Sequence, residues 1–173
     1  MADTLRELNF EVIEQIDASQ RSMKRAVRDF GKRLKASGKE TVAVFYYAGH
    51  GVQVNGENYL IPVDAQIESE GDVDIESVSA SAILSTMEHA GAGVNFIILD
   101  ACRDNPYATG FRSGTRGLSR MDAPKGSLVA YSTSPGNVAA DGRGKYSPYT
   151  FALAREMKKP NVQVETMFRH VRN

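Results

Sequence analysis

A chain of 173 residues with 42% apolar and 24% charged residues has the profile of one globular domain, long enough to bury a core without disulfides or metals. Lysine plus arginine balances aspartate plus glutamate at 21 each, so no global field draws the chain to nucleic acid or anionic lipid, and recognition by charge has to be local. No apolar run nears the roughly 18 residues that span a bilayer, and the N-terminus lacks a basic region followed by an apolar one, which predicts a cytosolic protein without nucleic-acid or membrane partners.

In chain order, Thr4 to Asn9 reads as the end of a helix, and Phe10 to Ile16 alternates apolar and polar residues as a short strand does. Asp17 or Ser19 can cap the next helix, in which Met23, Val27, Phe30 and Leu34 make one apolar stripe before Gly38 stops it. Thr41 to Tyr47 is a continuous β-branched and aromatic run, the pattern of a parallel strand covered on both faces, and it leads into Gly49, His50 and Gly51. Asn55-Gly56 between two apolar stretches predicts a hairpin.

An acidic loop from Glu68 to Glu76 precedes a helix over Ser79 to Ala90, with Ile83, Leu84 and Met87 on one face and Gly91 after it. Val94 to Leu99 is a second buried strand, running into Asp100, Ala101 and Cys102. Arg103 to Lys125, rich in Gly, Ser and Arg, reads as a long mobile loop, and Ser127 to Tyr131 as a third buried strand. Ser147 with Pro148 opens a helix ending near Lys159 and Pro160, and Val164 to Val171 is a further helix. Strands alternating with helices predict an α/β fold, with a mostly parallel central sheet, helices on both faces and one small β-hairpin. Ligands bind such sheets beyond the carboxyl ends of the strands, where His50 and Cys102 both fall.

Cys102 is the sole cysteine, so an internal disulfide is impossible and its thiol is a candidate nucleophile. A thiol attacks a carbonyl as thiolate, a form that a neighbouring imidazole populates near neutral pH. His50 at the end of the adjacent strand is the candidate partner, and the glycines around it let backbone and substrate approach closely. His89, near a helix C-terminus, and His170, in the last helix, read as surface or dipole-pairing residues.

Asp100-Ala101-Cys102-Arg103-Asp104, with His50 placed 52 positions before the cysteine, resembles the caspase-like cysteine peptidases of clan CD, family C14, and among them the bacterial metacaspase-like members. Ala130-Tyr131-Ser132-Thr133 with Pro135-Gly136 resembles the start of that family's small-subunit portion, and Ser147 to Leu153 its following helix. The resemblance implies one caspase-like domain over residues 1–173. A large-subunit-like part covers about 1–110, a linker loop about 103–125 and a small-subunit-like part about 126–173.

The same resemblance implies roles. Cys102 would be the nucleophile and His50 the acid/base, with the backbone amides of Gly51 and Cys102 forming an oxyanion hole. Asp100, Asp141 and Ser132 would contact substrate. Asp100 stands where aspartate-specific relatives carry glutamine, and Asp141 aligns with their substrate-binding arginine. Two carboxylates attract a basic side chain and repel an acidic one, so cleavage after Arg or Lys is predicted. Arg112, Arg116, Arg120 and Lys125 in the loop would then be sites of self-cleavage.

No cofactor is predicted. Asp72, Asp74, Glu76 and Asp64 offer oxygen ligands of the kind calcium takes, but their spacing matches no calcium loop, and a solvated loop is the preferred reading. Members of the family usually open with a hydrophobic strand and end on a final edge strand, whereas this chain opens inside the following helix. The resemblance therefore predicts a sheet without its first strand, with a dimer or another chain completing it. The alternative function is an inactive or truncated caspase-like module acting by association. A doubly wound nucleotide-binding domain is disfavoured because no phosphate-binding glycine motif is present.

Overall fold

Helix caps, glycine stops and apolar periodicity set most of the element boundaries. The computed structural model describes residues 1–102, 118–132 and 147–172, with Cys102 described through its backbone alone. Helix α1 spans Ala2–Glu7. Helix α2 spans Gln20–Ser37, begins where Ser19 Oγ accepts the Ser22 N–H, and ends at Gly38 with φ 81°. Strand β1, Val42–Val54, turns through Asn55 and Gly56 into β2, Glu57–Leu60. Both turn residues have positive φ, 52° and 83°, as a type I′ hairpin requires, and Val54 faces Glu57 across the two-residue loop.

A short helix α3, Asp72–Glu76, lies in the acidic segment that reads as a loop in the sequence. It forms because Asp72 Oδ2 accepts the N–H groups of Ser69 and Glu68, holding the chain in a turn ahead of it. Strand β3, Val78–Ser79, leads directly into α4, Ala80–Ala90, which is capped by Ser79 and stopped by Gly91 in the left-handed conformation. Strand β4 is Val94–Cys102, β5 is Ser127–Tyr131, α5 is Pro148–Met157 with Ser147 as its cap, and α6 is Val164–Arg172.

The five strands form one sheet in the order β3-β2-β1-β4-β5. β4 runs parallel to both β1 and β5, and the hairpin strands β2 and β3 are antiparallel. The predicted α/β architecture is therefore present, with the caspase-like arrangement of helices on both faces. Phe45, Tyr47, Ile97 and Leu99 meet Met23 and Leu34 of α2 and Ile83, Leu84 and Met87 of α4. Val44, Tyr46 and Ile98 alternate to the other face and meet Leu153 of α5 and Val171 of α6. Each such side chain taken fully out of water contributes roughly 1.5–3 kcal/mol.

Two departures from the sequence reading bear on the sheet. Phe10 to Ile16 forms no strand; among the described residues this segment joins no ladder. β1 is also less covered than its apolar run predicts. Val44, Phe45, Tyr46 and Tyr47 are half-buried, and so is all of β5, which reads as a buried strand in the sequence but ends the strand order, whereas Ile97, Ile98 and Leu99 on β4 are 2% exposed or less. The cause is topological: β4 lies between two strands, while from Val42 to Gly49 β1 has a strand on one side only among the described residues.

Glu156 on α5 is buried at 2% exposure and faces three basic groups, Lys159 Nζ at 2.7 Å, Arg155 Nε at 3.2 Å and His170 Nδ1 at 3.3 Å. The Lys159 contact holds its carboxyl below the ordinary glutamate range, with the Lys159 and Arg155 charges adding to it and burial opposing. A lowered folded-state pKa gives stability that is present above the unfolded value and lost as pH falls through the folded one. Glu156→Gln is expected to lower the melting temperature at neutral pH. Melting curves across pH should show wild type and variant converging as pH drops below the ordinary glutamate range.

Candidate active site

The register of β1 on β4 aligns Ala48 with Asp100, Gly49 with Ala101 and His50 with Cys102. Neighbouring strands lie about 4.8 Å apart, so His50 and Cys102 share the last rung of the β1–β4 pairing, at the carboxyl end of β4 and where β1 passes on to pair with β2. His50 is exposed. Its backbone is fixed from two sides, since its C=O accepts the Ile61 N–H at 3.0 Å and the Tyr47 hydroxyl at 2.8 Å.

Tyr47 is the residue that sequence reasoning missed here. The same O–H is shared with the Ile61 C=O at 3.0 Å, tying β1 to the chain leaving β2, and burial pushes its pKa up. The ring folds back so closely that a Cβ at Gly49 would sit 2.6 Å from the Tyr47 oxygen, so any side chain at position 49 would push the Tyr47 ring from its place. The signal in sequence is an aromatic donor three residues before a histidine flanked by glycines. Tyr47→Phe removes the donor that the Ile61 and His50 carbonyls share and leaves the His50 C=O with the Ile61 N–H, and it is expected to cost about 1–2 kcal/mol in chemical denaturation. Folding is expected to survive.

Gly51 is buried, and an added Cβ there would meet Ala101 Cβ and Leu118 Cδ2, both at 3.1 Å. The Ile61 N–H to His50 C=O bond makes that rung a hydrogen-bonded one, so the next rung, Gly51 with Leu60, is of the non-bonded kind. The Gly51 N–H is thereby turned away from β2. Leu118, 2% exposed, is held beneath Gly51 by its neighbour: Ser119 N–H donates to Asn58 Oδ1 and Asn58 Nδ2 donates to the Ser119 C=O, both at 2.7 Å. This part of the segment that the sequence presents as a linker loop is packed against the hairpin.

Asp100, two residues before Cys102, is 6% exposed. Its Oδ2 accepts the hydroxyls of Ser147 and Thr150, which stand at the start of α5, where the helix dipole favours a carboxylate. Tyr46 shares a hydrogen bond with Thr150. The Tyr46 phenol is pushed up to about 12, by burial above all and also by the Asp100 charge, against the lowering effect of Thr150. Burial, then the charges of Asp100 and Tyr46, drive Tyr149 upward as well. The carboxylate thus sits among hydroxyls, and among the described residues no cation pairs with it.

Ser132 follows β5 at the same rim, its N–H donating to the Leu99 C=O at 3.0 Å. Its hydroxyl is buried and has no partner among the described residues. Asp141, Arg112 and Arg116 lie outside the described residues, while Arg120 and Lys125 are exposed. The carboxylates considered for calcium serve local structure: Asp64 accepts the Gln20 N–H at 2.8 Å and Asp72 caps the turn before α3. Among the described residues no three His, Cys, Asp or Glu side chains cluster to hold a metal, and no helix is long and apolar enough to cross a membrane.

A family model for the caspase domain, peptidase family C14, matches residues 1–173. The chain belongs to the caspase domain family. That family is one of cysteine peptidases. The caspase domain described here is 32% identical over 105 residues to the human mucosa-associated lymphoid tissue lymphoma translocation protein 1, a match covering 60% of this chain and 12% of the relative. The mouse homolog gives the same identity and coverage. The match therefore spans about an eighth of the length of these relatives.

Proposed function

We infer that this caspase domain is a cysteine endopeptidase that cleaves after Arg or Lys by a His50/Cys102 dyad. The observation that carries the reading is the shared rung of His50 and Cys102 at the sheet rim. The Cys102 thiolate attacks the scissile carbonyl, and the oxyanion that develops is met by backbone N–H groups, for which the turned-out amide of Gly51 is suited. His50 protonates the departing amine, a thioester to Cys102 remains, and a water activated by His50 hydrolyses it.

The reading of specificity is supported by Asp100. A buried carboxylate held by neutral hydroxyls keeps its charge available to an incoming guanidinium or ammonium, a bond roughly twice as strong as a neutral one. The orphaned Ser132 hydroxyl supplies a further polar contact at the same rim. The test is turnover of fluorogenic peptides with Arg, Lys or Asp before the reporter. Preference for Arg or Lys supports the proposal, and preference for Asp contradicts it.

A second reading, a module acting by association, is favoured by one observation, the one-sided pairing of β1 from Val42 to Gly49. Absence of turnover on all three peptides, with the protein folded, supports that reading over the first.

A further inference from the structure

Gly51, whose amide is suited to the oxyanion, has no side chain to anchor its own peptide plane. Its surroundings hold it instead: a Cβ placed there would lie 3.1 Å from both Ala101 Cβ and Leu118 Cδ2. Ala101 belongs to β4 and is carried in by the sheet. Leu118 belongs to no helix or strand, so other contacts have to bring it under Gly51.

Those contacts make residues 118–121 a strap anchored at both ends. On the hairpin side, fully buried Asn58 exchanges two hydrogen bonds of 2.7 Å with the Ser119 backbone, and the Ser119 hydroxyl donates to the Gly56 C=O at 2.6 Å. On the β5 side the Met121 N–H donates to the Tyr131 hydroxyl at 2.9 Å. β2 and β5 flank the β1–β4 pair in the strand order, so the strap passes across both central strands. It does so on the α2/α4 face, where Leu118 and Met121 pack with Leu60, Leu99 and Ala101. Leu118 thus fills the space beneath Gly51 and Ala101, the chain neighbours of His50 and Cys102.

We propose that Leu118, seated by the Asn58–Ser119 clasp, is a positioning residue for the Gly51 amide. It sets how well the oxyanion is held without touching substrate or reacting atoms. The proposal rests on the peptidase reading above. An oxyanion donor acts when it lies about 2.7–3.1 Å from the charged oxygen, and a misplacement of about 1 Å costs on the order of a hundredfold in rate. Truncating Leu118 leaves a void beneath Gly51, and the peptide unit is free to settle into it, because packing holds it in place. The loss falls on the tetrahedral intermediate. Asp100 faces the opposite layer, bonded to Ser147 and Thr150 at the start of α5, and the thiolate depends on His50.

The test compares wild type with Leu118→Ala, Leu118→Val and Leu118→Met, each assayed below its melting temperature. With an arginine peptide, kcat should fall by about tenfold to a hundredfold in Leu118→Ala, fall less in Leu118→Val and recover in Leu118→Met, while KM stays within about threefold. An aldehyde of the same peptide should lose affinity in the same order. The Cys102 sulfur bonds to its carbonyl carbon, the π pair moves onto oxygen, and that oxygen needs the Gly51 donor. Alkylation by iodoacetamide displaces iodide and builds no oxyanion, so its rate and pH profile should stay as in wild type. Unchanged kcat in folded Leu118→Ala overturns the proposal. So does a rise in KM alone, which puts Leu118 in substrate binding, and so does an equal loss of turnover and alkylation, which a general loosening of the fold produces. Leu118→Val, one methylene shorter, keeps the comparison readable where Leu118→Ala does not fold. Wild type that is alkylated but neither hydrolyses the peptide nor binds the aldehyde removes the peptidase reading itself, and this proposal with it.

Discussion

Cys102→Ala is expected to remove peptide hydrolysis, lowering kcat/KM for an arginine peptide by roughly four orders of magnitude or more, as loss of a nucleophile does where the rest of a catalytic unit stays intact. The melting temperature should hardly change, because a methyl group replaces a thiol at the end of β4 and no strand pairing depends on the sulfur. His50→Ala should fall nearly as far, and the double variant no further than the worse of the two, since residues acting as one unit lose their effect together. Additive losses would show that the two side chains act separately.

The second large effect is on specificity. Asp100→Asn keeps a side chain of the same shape against Ser147 and Thr150 but withdraws the charge. If Asp100 receives the substrate's basic group, kcat/KM for arginine and lysine peptides should drop by about two to three orders of magnitude, the range for truncating one partner of a buried charge pair. A peptide with a neutral residue at that position should be nearly unaffected. A purely structural Asp100, holding α5 against the sheet through its hydroxyl contacts, would instead lower all substrates alike and depress the melting temperature.

Much of this arrangement is legible in the sequence because its determinants are local. Asn55-Gly56 specifies its turn by positive φ at two adjacent positions, and Ser19, Ser79 and Ser147 each cap the helix that follows them. The alignment of His50 with Cys102 where the β1–β4 pairing ends follows from two apolar runs leading toward those residues, although β1 itself continues past His50 to Val54, which its apolar run did not show.

What escapes the sequence depends on distant partners. Phe10 to Ile16 alternates like a strand, but alternation specifies faces and not a hydrogen-bonded neighbour, and no described strand lies beside it. The hydroxyl setting of Asp100 joins residues 46, 100, 147 and 150, and the Asn58–Ser119 clasp spans 61 positions. Neither leaves a periodic trace. The half-burial of β1 likewise follows from sheet order, which composition does not encode.

The most direct test of the account is the rate of Cys102 alkylation by iodoacetamide as a function of pH, followed by mass spectrometry in wild type and His50→Ala. An imidazole acting on the sulfur predicts a reactive thiolate at pH values well below the ordinary cysteine pKa of about 8.5, and a shift of the profile toward that value when the histidine is removed. Superimposable profiles, both rising only near that ordinary value, would contradict the dyad.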